Sequence, residues 1–124
     1  PEGISAANES ARERGIDSIE FRSADASAVG EVLDRFSPDL VLVNPPRRGL
    51  GNTAGLLNGL SPREIVYSSC SLESLASDLR SFSGTYRLRR IRVFDLFPHT
   101  RHFETLVWIT RRSITKRSGP EARR

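Results

Sequence analysis

The chain has 124 residues, enough for one small domain or a piece of a larger one, and its 37% hydrophobic and 27% charged residues allow an ordinary core. Its single cysteine excludes an intrachain disulfide and any structural zinc or iron–sulphur site built on several thiolates, which fits a reducing compartment. The formal net charge of +4 points to an anionic partner only weakly, because six Lys or Arg and one Glu fall in 111–124 and leave the rest of the chain slightly acidic.

From the front, Glu2 to Arg14 (EGISAANESARER) combines helix formers with an Ile4, Ala7, Ala11 stripe and stops at Gly15, which predicts a helix with a glycine cap. Ile19 to Arg22 reads as a short strand, Ala24-Asp25-Ala26 as a loop and Val29 to Phe36 as a second helix. Leu40-Val41-Leu42-Val43 is apolar without alternation, the pattern of a central strand covered on both faces. Asn44-Pro45-Pro46-Arg47-Arg48-Gly49 ends it, since proline cannot continue a ladder.

A short helix over Thr53 to Leu60 and a second apolar strand from Glu64 to Tyr67 come next. Ser71 then caps a helix to Arg80 with Leu72, Leu75, Ala76 and Leu79 on one face. Tyr86 to Phe94 and Phe103 to Thr110 are predicted strands, divided by a loop at Asp95 to His102. Alternating helices and strands imply a doubly wound α/β sheet, mostly parallel, with an antiparallel pair at its end. Beyond it, RRSITKRSGPEARR (111–124) is polar and basic and reads as a disordered tail; attraction to RNA phosphates and plain solubility explain it equally well. No apolar run approaches the ~18 residues of a membrane helix, so a cytoplasmic monomer away from membranes is the expectation.

Three segments carry chemistry. NPPRRG stiffens the backbone around the Asn44 side chain, although a simple strand-ending turn accounts for it as readily. IVYSSC delivers Cys70 at the tip of the next strand and the start of a helix, where a thiolate is favoured; a buried structural cysteine is the bland alternative. In VFDLFPHTRHFE, His99 and His102 invite a metal reading, but no third ligand accompanies them and no metal is expected. Glu104 opens an apolar strand, as either a solvated edge carboxylate or a general base near a reacting atom.

Taken together these segments resemble the RNA uracil-C5 methyltransferases. That family has an Asp/Asn-Pro-Pro-Arg-x-Gly element, a Tyr-x-Ser-Cys-Asn element about fifteen residues on, and a Phe-Pro-His/Gln-Thr/Ser-x-His-x-Glu element. Here NPPRRG is followed by fifteen residues (Leu50 to Glu64), then IVYSSC, then FPHTRHFE. Ser71 and Ser74 stand where the family has Asn and Thr. Asn44 in place of Asp resembles the branch acting on 23S ribosomal RNA more than the tRNA branch.

The resemblance covers about residues 1–110 and implies the C-terminal part of a Rossmann-like class I methyltransferase domain, truncated at its N-terminus. Neither the family's Gly-rich first strand and loop nor its N-terminal RNA-binding or iron–sulphur portion has a counterpart here, so any cluster would belong to that portion, and the isolated chain is expected to be inactive. It implies S-adenosylmethionine as cofactor, with Asn44 in the family's cofactor-contact position; topology alone adds Asp25 near the adenine. It assigns Cys70 as nucleophile toward uracil C6 and Glu104 as base. Arg47, Arg48 and His99 are candidates for RNA contact, with solvated arginines the equal alternative.

RNA cytosine-C5 methyltransferases share the Tyr-Ser-Thr-Cys-Ser-like context, but they carry a second cysteine in a Pro-Cys element where this chain has Pro45-Pro46-Arg47. Amino-group methyltransferases place an aromatic residue where Arg47 stands. A non-catalytic RNA-binding remnant is the reading from outside enzymology.

Overall fold

The computed structural model describes residues 2–25, 30, 36–96, 98–100 and 102–113. Helix α1 (Glu2–Glu13) half-buries Ile4 and Ala7 and buries Ala11, the stripe that the sequence predicts. Gly15 ends it at φ 65°, with Ile16 N–H donating to the Ala11 carbonyl at 2.9 Å and Gly15 N–H to that of Arg12 at 3.0 Å. This paired closure needs a left-handed residue at that step, which glycine adopts without steric cost.

The strand expected at Ile19 to Arg22 does not form. There the backbone of Phe21 is satisfied by one amide, Asn8: Phe21 N–H donates to Asn8 Oδ1 at 3.2 Å and Asn8 Nδ2 donates to the Phe21 carbonyl at 3.0 Å. A strand requires a neighbouring ladder, and no described strand flanks the free side of the sheet. The helix expected over 29–36 falls outside the described residues except at positions 30 and 36.

The remaining elements are β1 (Leu40–Val43), α2 (Thr53–Leu60), β2 (Glu64–Ser69), α3 (Leu72–Phe82), β3 (Tyr86–Phe94) and β4 (Glu104–Arg111). The sheet order is β1-β2-β4-β3. β1 and β2 are parallel, while β4 runs antiparallel to both its neighbours. The last strand therefore does not add as an outer hairpin arm but inserts between β2 and β3. Arg111, assigned to the tail by composition, is the last residue of β4, and the backbone of Arg112 still bonds to the Thr85 carbonyl at 2.8 Å.

Helices α2 and α3 cover one face of the sheet. Leu57, Ile65, Tyr67, Leu75, Phe82, Tyr86, Val107 and Ile109 form the core there, with Val41, Val43 and Leu79 at its margin. Burying each large apolar side chain contributes roughly 1.5–3 kcal/mol. Of the face expected on α3, Leu75 and Leu79 pack inward but Leu72 is 53% exposed and Ala76 is exposed. Phe82 takes the place they leave, because residues 75, 78, 79 and 82 recur at helical spacing toward the sheet.

β1 also differs from expectation: Leu40 and Leu42 are exposed at 49% and 69%, so its two sides are not both covered. No helix among the described residues is long and apolar enough to cross a membrane.

Candidate active site

Strand direction builds the site. β1 and β2 are parallel, so their C-terminal ends meet at one rim; β4 runs the other way and begins at that same rim. Asn44 follows β1, Cys70 follows β2 and Glu104 opens β4. In the β2–β4 ladder Ser69 pairs with Thr105. Continuing that register by one residue on each strand sets Cys70 opposite Glu104. Strand alternation puts Ser68 and Glu104 on the same face, and Ser68 Oγ donates to Glu104 Oε2 at 3.1 Å.

Cys70 is half-buried and free, in the bend between β2 and α3. The bend is fixed by serines. Ser71 Oγ accepts from Ser74 N–H as the N-cap of α3, and Ser69 Oγ accepts from Ser71 N–H at 3.1 Å. Ser71, where the family has Asn, thus keeps the capping function.

On the β1 side, Asp25, Asn44, Arg48 and the prolines between them line an open cavity of about 590 Å³. Arg47 points elsewhere: its Nη2 lies 3.2 Å from His102 Nδ1, tying the NPPRRG loop to the loop ahead of β4. His99 lies in that second loop, exposed, with φ 70°. Asp25, Asn44 and Arg48 are therefore gathered in one cavity and Cys70 and Glu104 at the neighbouring strand ends, with Arg47 bridging the loops through His102, not His99.

Asp78, absent from the sequence reading, holds the two halves together. Its Oδ2 accepts from Tyr67 Oη at 2.6 Å and from Leu50 N–H at 2.9 Å. Burial first, then the bond and charge of Asp78, hold the Tyr67 hydroxyl well above the usual tyrosine range. Ser74 Oγ donates to the Arg47 carbonyl at 2.6 Å. The loop after β1 is thus bolted to the strand that ends at Cys70 and to the helix that follows. Gly49 permits the approach: at φ 86°, a Cβ there would lie 2.7 Å from Asp78 Oδ2 and 3.2 Å from Ser74 Cβ. Gly49→Ala is expected to destabilise the chain by about 1–3 kcal/mol, read as a lowered thermal midpoint; an unchanged midpoint would show that this approach is dispensable. The overlooked signal was a carboxylate on the inward seam of α3, three residues after Leu75 and four before Phe82.

Comparison with known proteins bears on the family and the fold. A family model described as tRNA (Uracil-5-)-methyltransferase matches residues 13–112. The 23S rRNA (uracil(747)-C(5))-methyltransferase RlmC of Escherichia coli O7:K1 is 45% identical over 116 residues, 90% of this chain and 29% of that protein. The crystal structure of Pyrococcus abyssi tRNA (uracil-54, C5)-methyltransferase in complex with S-adenosyl-L-homocysteine is 32% identical with a TM-score of 0.69, covering 86% of this chain and 26% of that one. M1.HpyAVI, 13% identical with a TM-score of 0.56 over 73% of this chain and 54% of that one, shares the fold alone. The α/β methyltransferase fold expected from sequence is the fold observed, and the chain spans less than a third of the length of RlmC and of the Pyrococcus enzyme. With most of its length matched, the chain belongs to the tRNA (uracil-5-)-methyltransferase family.

Proposed function

We propose that the protein of which this chain is part methylates C5 of a uridine in RNA, with 23S ribosomal RNA as substrate and S-adenosylmethionine as methyl donor. The observation that supports the reading is the β2–β4 register, whose last pair, Ser69–Thr105, lies next to the half-buried Cys70 and to Glu104 at one rim. Of the relatives above, the 23S rRNA enzyme is 45% identical and the tRNA enzyme 32%, which favours the ribosomal substrate.

The residues on the β1 side suit the cofactor. An open cavity of about 590 Å³ is within the size range of small-molecule sites, and Asn44 and Asp25 give it an amide and a carboxylate as partners for amino and hydroxyl donors. When bound, S-adenosylmethionine supplies an electrophilic methyl on a sulfonium. The chain's own groups prepare and finish the reaction.

The target base leaves its stack to reach the rim. Cys70 thiolate adds to uracil C6, and the C5–C6 electron pair moves into an enolate that makes C5 nucleophilic. Once C5 carries the methyl group, Glu104 removes the C5 proton, the double bond re-forms and the C6–S bond breaks, returning the thiolate. Ser68, donating to Glu104 Oε2, fixes the carboxylate for that step. Arg47 and Arg48, on the loop beside the rim, supply positive charge for RNA phosphates in this reading.

Glu104→Gln in the complete enzyme is expected to lower turnover by about 10²–10⁴-fold while a covalent RNA adduct accumulates on denaturing gels. Absence of the adduct would remove the base role. Mass spectrometry of the product separates the substrate readings: methyluridine supports the proposal, and methylcytidine would replace it with cytosine-C5 chemistry.

A further inference from the structure

The face of the sheet that carries Glu104 is not covered by α2 or α3, and what it displays is basic and aromatic. In the β3–β4 register Phe94 pairs with Glu104, Arg92 with Leu106, Arg90 with Trp108 and Arg87 with Thr110. Alternation sets these pairs on one face, and the irregularity between Leu88 and Arg90 adds Arg89 beside them. All four arginines are exposed, and among the described residues none is ion-paired with a carboxylate. Glu64, an acid beside the arginines, already accepts from Trp108 Nε1 at 3.1 Å and lies 3.8 Å from Arg63 Nε. That bond steadies the indole of the chain's only tryptophan, which is 39% exposed. Two shallow cavities flank it, one of about 210 Å³ bounded by Arg90, Arg92 and Phe94, the other of about 330 Å³ bounded by Arg89, Arg90 and Glu64.

We infer that this strip, Arg87-Arg89-Arg90-Arg92 with Trp108 and Phe94, is a track for a single-stranded segment of the RNA flanking the target uridine. The inference rests on the reading that the substrate is RNA. Unneutralised arginines beside exposed rings are the two components of sequence-tolerant single-strand binding: cations follow the phosphates while bases stack on the aromatic groups. Position favours the same partner. The track begins at the pair Phe94–Glu104 and leads away from the rim, so a strand whose target base sits by Glu104 and Cys70 continues along it. An acidic protein segment is the competing occupant; it would meet the charge but has no bases to stack on the indole.

The test is fluorescence titration of the 124-residue chain with an oligouridylate of about ten nucleotides, reading Trp108. Quenching is expected, with log affinity falling against log salt at a slope of about −2.8, four phosphate contacts at about −0.7 each. Arg90→Gln with Arg92→Gln should reduce that slope to about −1.4. Trp108→Leu, followed by anisotropy of labelled oligonucleotide, should weaken binding about tenfold. Circular dichroism monitors folding; if the chain does not hold its fold, the double arginine variant is read by filter binding in the complete enzyme. No quenching of a folded chain, an unchanged slope in the double variant, or equal quenching by polyglutamate overturns the track. None of these outcomes bears on adduct formation at Cys70, and an absent adduct in Glu104→Gln with quenching intact would sink the uracil chemistry while leaving the track in place.

Discussion

Cys70→Ala is expected to abolish uridine methylation in the complete enzyme, lowering turnover by at least about 10³-fold, because a covalent route disappears with its nucleophile. Stability should barely change. The ladder between β2 and β4 ends at Ser69, the N-cap of α3 is Ser71, and the bend is held by Ser69 Oγ. Cys70 itself is only half-buried, so removing its sulphur leaves no void in the core. The thermal midpoint should stay within about 4 °C, the range for a substitution away from core and network. Cys70→Ser is the sharper control: it preserves size and polarity but offers a poor nucleophile, so it too should form no adduct. Retention of more than a tenth of wild-type turnover in either variant would remove Cys70 from the chemistry.

Local pattern made part of this site readable and left the rest hidden. The helix at Thr53–Leu60 emerges with the boundaries read from sequence, and the strand leading to Cys70 with the same start, because the periodicity and punctuation that specify them lie within a few residues. The positions of Asn44, Cys70 and Glu104 at strand ends were legible for the same reason. What sets the end of β2 beside the start of β4 was not: insertion of β4 between β2 and β3 is a pairing across about forty residues, and no local signal encodes it. Ile19 to Arg22 failed for the complementary reason, since a β-rich tetrapeptide without a neighbouring strand found its partners in the Asn8 side chain instead. Polar bonds such as Asp78 to Leu50 and Ser68 to Glu104 likewise join residues far apart in the chain. A carboxylate on the apolar seam of α3 was the visible trace of the first, and Ser68 left none.

Asp78→Ala should be the most destabilising single change at the rim, by about 2–6 kcal/mol. Two donors lose one acceptor together: the Tyr67 hydroxyl, whose residue is fully buried, and the Leu50 amide. Each buried donor left without a partner costs about 1–3 kcal/mol. Asp78→Asn retains a carbonyl oxygen that accepts both bonds and should lose less than half as much. Tyr67→Phe removes a donor along with its bond and should fall between them.

pH adds a signature. The folded state holds the Tyr67 proton more tightly than the unfolded chain does, so this contribution is complete below about pH 10 and fades as pH rises beyond the ordinary tyrosine pKa. Tyr67→Phe should therefore narrow its stability gap to wild type in strong alkali. Coupling to Gly49 gives the decisive measurement. In wild type, alanine at 49 meets both a strained φ of 86° and the Asp78 oxygen 2.7 Å away. Without the Asp78 carboxylate only the backbone strain remains, so Gly49→Ala should cost about 1 kcal/mol less in the Asp78→Ala background. Strict additivity of the two changes, measured by denaturant unfolding, would mean that the loop after β1 and the strand ending at Cys70 are not held in register by this carboxylate.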